Sequence, residues 1–156
     1  MSTVIILYSK HGTVIKCANQ LNEKLTEKAK IYNLKDTKDI PLEMVDTIVF
    51  GTSFYMGSIA KEMKNFLKKN KSEISQKKNY LFFCGIQEEM ETEIQTNFDA
   101  DFLKKVQKAE NLGGEIQFQK LNFLEKTIMK MVMKSKEDVH MLKEDKILEL
   151  AKCINQ

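Results

Sequence analysis

The stretch "STVIILYSKHGTVIKCANQL", residues 2–21, changes character twice. Residues 2–8 form an unbroken apolar run, the mark of a strand buried on both faces of a parallel sheet. At Ser9 the run gives way to Lys10, His11, Gly12 and Thr13. From Val14 onward apolar residues fall at 14, 18, 21 and 25, one face of a helix reaching about Lys28. A buried strand thus empties into hydroxyls, a glycine and a lysine just ahead of a helix N-terminus. Backbone N–H groups stand free there and the dipole end is positive. Gly12 lets the chain turn tightly around an anion, Ser9 and Thr13 offer hydroxyls, and Lys10 adds charge. A plain strand-to-helix turn with Thr13 as N-cap accounts for the same residues. The loop is neither a P-loop nor a GxGxxG dinucleotide turn.

The pattern recurs along the chain. "AKIYNL" (29–34) reads as a second, short strand, and 36–45, with the only proline, as a loop. "DTIVFGTS" (46–53) is another buried strand, followed by helical spacing at Ile59, Met63, Phe66 and Leu67 and a solvated 68–79. "YLFFCGI" (80–86) is the next buried strand. A helix is expected over about 99–109. "EIQFQKL" (115–121) alternates, with Ile116, Phe118 and Leu121 to one side, and predicts a strand near a sheet edge. Helices are expected over about 121–135 and 143–154. Strands alternating with helices predict one α/β domain over residues 1–156, its parallel sheet covered on both faces. Such sheets bind ligands beyond the carboxyl ends of their strands, which brings 9–14, 51–58 and 84–93 together.

The second of these loops, "GTSFYMGS" (51–58), sets Phe54, Tyr55 and Met56 between small residues. Aromatic and thioether groups left bare at a strand end are costly unless a neighbouring loop or something flat covers them. An anion nest beside an aromatic shelf suits a phosphorylated ring system. At this point the sequence resembles the flavodoxin family, whose three cofactor loops match in order and approximate spacing. Within that family it is most similar to the flavodoxin-type, menaquinone-dependent protoporphyrinogen oxidases. That likeness rests on a G-[AT]-S-x-x-x-G second loop, here Gly51 to Gly57, and on a late helix like "TIMKMVMK" (127–134).

The resemblance implies a flavodoxin-like three-layer sandwich, a five-stranded parallel sheet in order 2-1-3-4-5 with helices on both faces, and one non-covalent FMN. Ser9, Lys10, His11, Gly12, Thr13 and Val14 would surround the phosphate. Thr52, Ser53, Phe54, Tyr55, Met56 and Gly57 would line one side of the isoalloxazine, and Cys84, Gly85, Ile86 and Gln87 the other. The Met56–Gly57 peptide corresponds to the one that turns its carbonyl to flavin N5 on reduction. The family pattern usually has threonine where this chain has Val14, and a hydroxyl residue at His11. No side chain is expected to act as a catalyst, because the flavin carries the chemistry.

Composition narrows the function classes. The formal charge is +3, and every one of the 25 cationic side chains is Lys. Without the bidentate fork of Arg, a sequence-specific nucleic-acid reader is not expected. Cys17, Cys84 and Cys153 lack metal-ligand spacing and read as reduced thiols, with Cys84 a small hydrophobe. "QEEMETE" (87–93) reads as a solvated loop over the cofactor edge, and His140 as part of a charged linker. A receiver-like signalling domain would need carboxylates where Ser9, Lys10 and Ser53 stand. Electron-shuttle flavodoxins are typically acidic, so this basic chain is expected to have a less negative second reduction potential. The segment 121–136 carries more apolar surface than one packed face needs and is edged by Lys126, Lys130, Lys134 and Lys136. It reads either as a buried helix or as a surface for a planar substrate, an anionic membrane or a partner. The leading expectation is a cytoplasmic FMN oxidoreductase, peripheral at the inner membrane face, taking a porphyrinogen as substrate and quinone as acceptor. The other is an electron carrier between redox partner proteins.

Overall fold

The computed structural model describes residues 2–87, 89–116, 118–133 and 139–156. Five parallel strands build the sheet: β1 (Thr3–Leu7), β2 (Lys30–Asn33), β3 (Thr47–Thr52), β4 (Lys78–Phe83) and β5 (Val106–Asn111). Their order is β2-β1-β3-β4-β5. A row of register partners, Tyr32–Ile6–Phe50–Leu81–Ala109, crosses all five.

Because successive strand side chains point to opposite faces, the apolar runs feed two cores. Ile5, Leu7, Val49 and Phe82 meet Val14, Cys17, Ala18 and Leu21 of α1 (Thr13–Lys24). The same layer holds Ile147, Leu150, Ala151 and Ile154 of the C-terminal helix. Ile6, Phe50, Leu81 and Phe83 turn the other way, onto Met63 and Phe66 of α2 (Lys61–Lys69) and onto Phe98. The short helices α3 (Lys71–Ile74), α4 (Glu91–Asn97) and α5 (Ala100–Lys105) complete that second layer. This is the three-layer sandwich the sequence predicts, in the strand order that the resemblance implies.

The fifth strand, however, is a different segment from the expected one. The helix predicted over 99–109 stops at Lys105, and the chain passes directly into β5. "VQKAEN" has no apolar run because an edge strand has one neighbour and a half-exposed surface. The alternating segment begins instead as β6 (Gly113–Ile116), which pairs antiparallel with β7 (Val139–Leu142) in a separate two-stranded sheet. β6 covers only the start of the expected strand over 115–121, because Phe118–Lys120 form a 3-10 turn, and the side chains of Ile116 and Phe118 lie outside the described ones. β7 takes up His140, which is therefore not in a linker. Helix α6 (Phe123–Met133) and the C-terminal α7 (Glu144–Asn155) match their expected positions. Helix α1 ends four residues early, at Lys24, where Leu25 turns extended while staying buried. The side chain of Asn22 then donates to the Ala29 carbonyl at 2.9 Å and accepts from its N–H at 2.8 Å, fixing the entry to β2.

Candidate functional site

The loops after β1, β3 and β4 converge beyond the carboxyl ends of their strands and, with β6 and α6, enclose a cavity of about 870 Å³. That volume suits a small-molecule ligand. In the first loop Gly12, not Thr13, is the N-cap of α1, with φ of 92°. Ser9 is buried, and its Oγ accepts from the Gly12 N–H at 3.1 Å, closing the loop upon itself. Thr13 is the first helical residue and donates its hydroxyl to the Glu115 carbonyl at 3.3 Å. Lys16, one turn on, pairs with the Glu115 carboxylate at 2.8 Å. The apolar Val14 is buried against the core and lines the cavity floor.

The second loop begins at Ser53. Thr52 does not reach the cavity: it is fully buried in β3, and its hydroxyl donates to the Ser53 carbonyl at 3.3 Å. Tyr55 and Ser58 exchange backbone bonds of 2.8 and 3.0 Å around Met56 (φ 51°) and Gly57 (φ 78°). Positive φ at both central positions makes this a two-residue hairpin turn. Met56 pays for its left-handed backbone with strain that a glycine would avoid. The aromatic shelf divides. Phe54 turns inward and stacks on Phe83 (5.3 Å, 22°), so a neighbouring strand covers it. Tyr55 and Met56 stay bare, at 45% and 72% exposure. Lys10 reaches across from the first loop to sit 5.3 Å above the Tyr55 ring, a cation–π contact.

In the third loop, Gly85, Ile86 and Gln87 line the cavity beside Cys84. The Gln87 carbonyl accepts from Asn111 at 2.8 Å, which ties the loop to β5. Gly114 of β6 presses against it so closely that a Cβ there would fall 2.9 Å from the Ile86 nitrogen. The Cys84 thiol meets that of Cys17 in the core. The hydrogen bond to Cys17 and burial both push the Cys84 thiol well up, so it stays protonated. We expect an aqueous thiol reagent to modify half-buried Cys153 rapidly, and Cys17 and Cys84 only on unfolding. Rapid labelling of Cys84 in the folded protein would mean an accessible, reactive thiol instead.

A further wall comes from the end of the segment expected as a strand and from the segment 121–136, expected as either a buried helix or a separate surface. Lys120, Leu121, Glu125, Ile128 and Met129 close the cavity over the first loop. Glu125 is buried, yet its carboxylate accepts from His11 Nε2 at 2.9 Å and from Lys10 Nζ at 3.1 Å. It also accepts from the Asn122 N–H at 3.1 Å, while its own N–H donates to Asn122 Oδ1 at 2.8 Å. This reciprocal pair is a capping box at the start of α6. The pattern Asn-x-x-Glu ahead of an apolar run was the signal for it. Burial works to raise the Glu125 carboxyl, but the bonds from His11, Asn122 and Lys10 outweigh it and hold the group below the usual range. On the outer side of α6, Phe123 (87%), Leu124 (59%) and Met131 (76%) are exposed. Lys134 and Lys136, expected to edge this surface, lie outside the described residues.

The cavity is therefore basic at one end, around Lys10, His11 and Lys120, and aromatic at the mouth, around Tyr55. Among the described residues no group of His, Cys, Asp and Glu is placed to hold a metal ion, and no helix is long and apolar enough to cross a membrane. A family model described as Flavodoxin domain matches residues 4–143. Among solved structures the chain is similar to oxidised Flavodoxin 2 from Bacillus cereus, at 18% identity and a TM-score of 0.59, covering 72% of this chain and 84% of that one. It is also similar to a flavodoxin from the domain Archaea, at 9% identity and a TM-score of 0.57 over 100% of both chains. A third similar structure is a flavoprotein from Lactobacillus acidophilus in complex with FMN, at 16% identity and a TM-score of 0.55 over 70% of this chain and 92% of that one. No curated protein matches the chain in sequence.

Proposed function

The chain belongs to the flavodoxin domain family, and from that premise we propose that it binds FMN in the cavity at the strand ends and transfers electrons between redox partner proteins. The single observation that carries this reading is the division of the cavity into a basic end at a left-handed Gly12 and an aromatic mouth at Tyr55. The residues present fit the group. Gly12 keeps the backbone free of a Cβ where an anion would lie against the start of α1, Lys10 and Lys120 supply positive charge, and His11 supplies a ring N–H. Tyr55 and the third loop, Gly85 to Gln87, would hold the flat ring from either side. When bound, FMN supplies one- and two-electron redox chemistry. The chain's part is to anchor the phosphate, exclude water from the ring's inner edge and hold the Met56–Gly57 peptide in a turn able to change its carbonyl direction.

A second reading, a protoporphyrinogen oxidase-like enzyme using quinone, is favoured by the exposed Phe123, Leu124 and Met131 on the helix that roofs the site. That apolar surface beside the cavity would suit a large planar substrate or a membrane face. Stepwise anaerobic reduction of the FMN-loaded protein separates the two. Two resolved one-electron steps identify the carrier, whereas a single two-electron step without resolved intermediates favours the oxidase. The same titration tests the expected less negative second potential. Failure to retain FMN defeats both readings.

A further inference from the structure

The Lys10 and His11 side chains, the natural hydrogen-bond donors for an anion at the first loop, already hold one. The Glu125 carboxylate lies between them with only 3% of its side chain exposed, and it accepts hydrogen bonds from Lys10 Nζ, His11 Nε2 and the Asn122 N–H. A buried carboxylate is tolerated only when so paired. A phosphate arriving at the same donors meets a like charge at close range, and two such charges in one partly desolvated site repel strongly. Resting on the reading that this cavity takes FMN, we propose that Glu125 is the specificity-determining residue of the site: a resident anion that the flavin phosphate must displace from Lys10 and His11. The displacement has a structural consequence, because the same carboxylate caps α6. Lys10 and His11 hold Oε2 while Oε1 accepts from the Asn122 N–H. A carboxylate turned away from the first loop therefore pulls on that half of the capping box and on the start of the helix that roofs the cavity. Glu125 thereby weakens selection of FMN over riboflavin, which has no phosphate, and couples phosphate binding to the position of α6.

The test compares wild type with Glu125→Gln, which removes the charge and keeps an oxygen to accept from Asn122. Binding of FMN and riboflavin is measured by calorimetry. Glu125→Gln is expected to bind FMN about tenfold tighter or more, with riboflavin affinity unchanged. Equal or weaker FMN binding by the variant, with wild type still binding FMN, overturns the proposal and leaves the flavin reading intact. If neither protein binds either flavin, that reading itself fails. Inorganic phosphate then decides the role of Glu125 in wild type, and it does so equally if the variant does not fold. Displacement moves the His11 ring resonances together with the backbone amides of Asn122 and Glu125. Movement at His11 alone, or none, overturns it.

Discussion

Gly51→Val is expected to destabilise the protein by about 3 kcal/mol or more, lowering Tm by roughly 6–12 °C, although the residue lies inside a strand and has no side chain to contribute a contact. Gly51 sits in β3, in register with Leu7 of β1 and Phe82 of β4. A Cβ placed on it would fall 2.2 Å from Cζ of Phe82, whose side chain is fully buried. The ring lies over the bare glycine backbone, in a core it shares with the buried Leu7, Val14, Leu21 and Leu150. Interiors packed at crystal density have no spare volume into which it could withdraw. The cost is steric, so shrinking the ring should recover part of it. In a double-mutant cycle Gly51→Val with Phe82→Leu is expected to be more stable than the sum of the single effects, by at least about 0.5 kcal/mol. Additive effects would show that Gly51 is required for some reason other than the room it leaves for Phe82. Chemical denaturation of the four proteins makes the measurement.

The same glycine shows what could be read from sequence. β1, β3 and β4 announce themselves because they are buried on both faces, so their apolar runs carry no competing polar periodicity. The helices α1 and α7 show one apolar stripe, α6 shows an apolar face with a surplus around it, and all three are placed within a few residues. β5 escapes notice since "VQKAEN" has only Val106 and Ala109 as apolar residues, and tertiary pairing with β4 overrides its weak local preference. The alternation over 115–121 marks a strand only at its start, in β6, since Phe118–Lys120 form a 3-10 turn, and it cannot say which sheet that strand joins. At the site, loops could be assigned because parallel topology fixes where strand ends meet. Side-chain direction could not: nothing local distinguishes Phe54, which turns into the core, from Tyr55, which stays at the mouth. Glu125 is over a hundred residues from the loop it neutralises, and only the folded chain brings them together.

Gly12→Val is the sharpest test of the binding reading, and FMN affinity is expected to fall about 100-fold, equivalent to roughly 2.7 kcal/mol. At φ of 92° a β-branched side chain is held in a region it almost never adopts, at a cost of about 1–2 kcal/mol or more. The loop escapes that strain by rotating, which breaks the bond between Ser9 Oγ and the Gly12 N–H and turns the N–H groups away from where a phosphate would sit. The fold itself should hold. The nearest atom to an added Cβ is Lys120 Nζ at 3.9 Å, a mobile side-chain end, and α1 keeps its buried face on the sheet. Circular dichroism should therefore match wild type while fluorescence titration shows FMN released and riboflavin bound as before. Unchanged FMN affinity would place the phosphate elsewhere. The variant also constrains the role of Glu125. If Glu125 acts by opposing a phosphate at this loop, then removing its charge gains nothing once the loop can no longer receive one. Glu125→Gln should accordingly tighten FMN binding in the wild-type background and have little effect in Gly12→Val. An equal gain in both backgrounds would mean that Glu125 influences the flavin through α6 alone, and not by competing for Lys10 and His11.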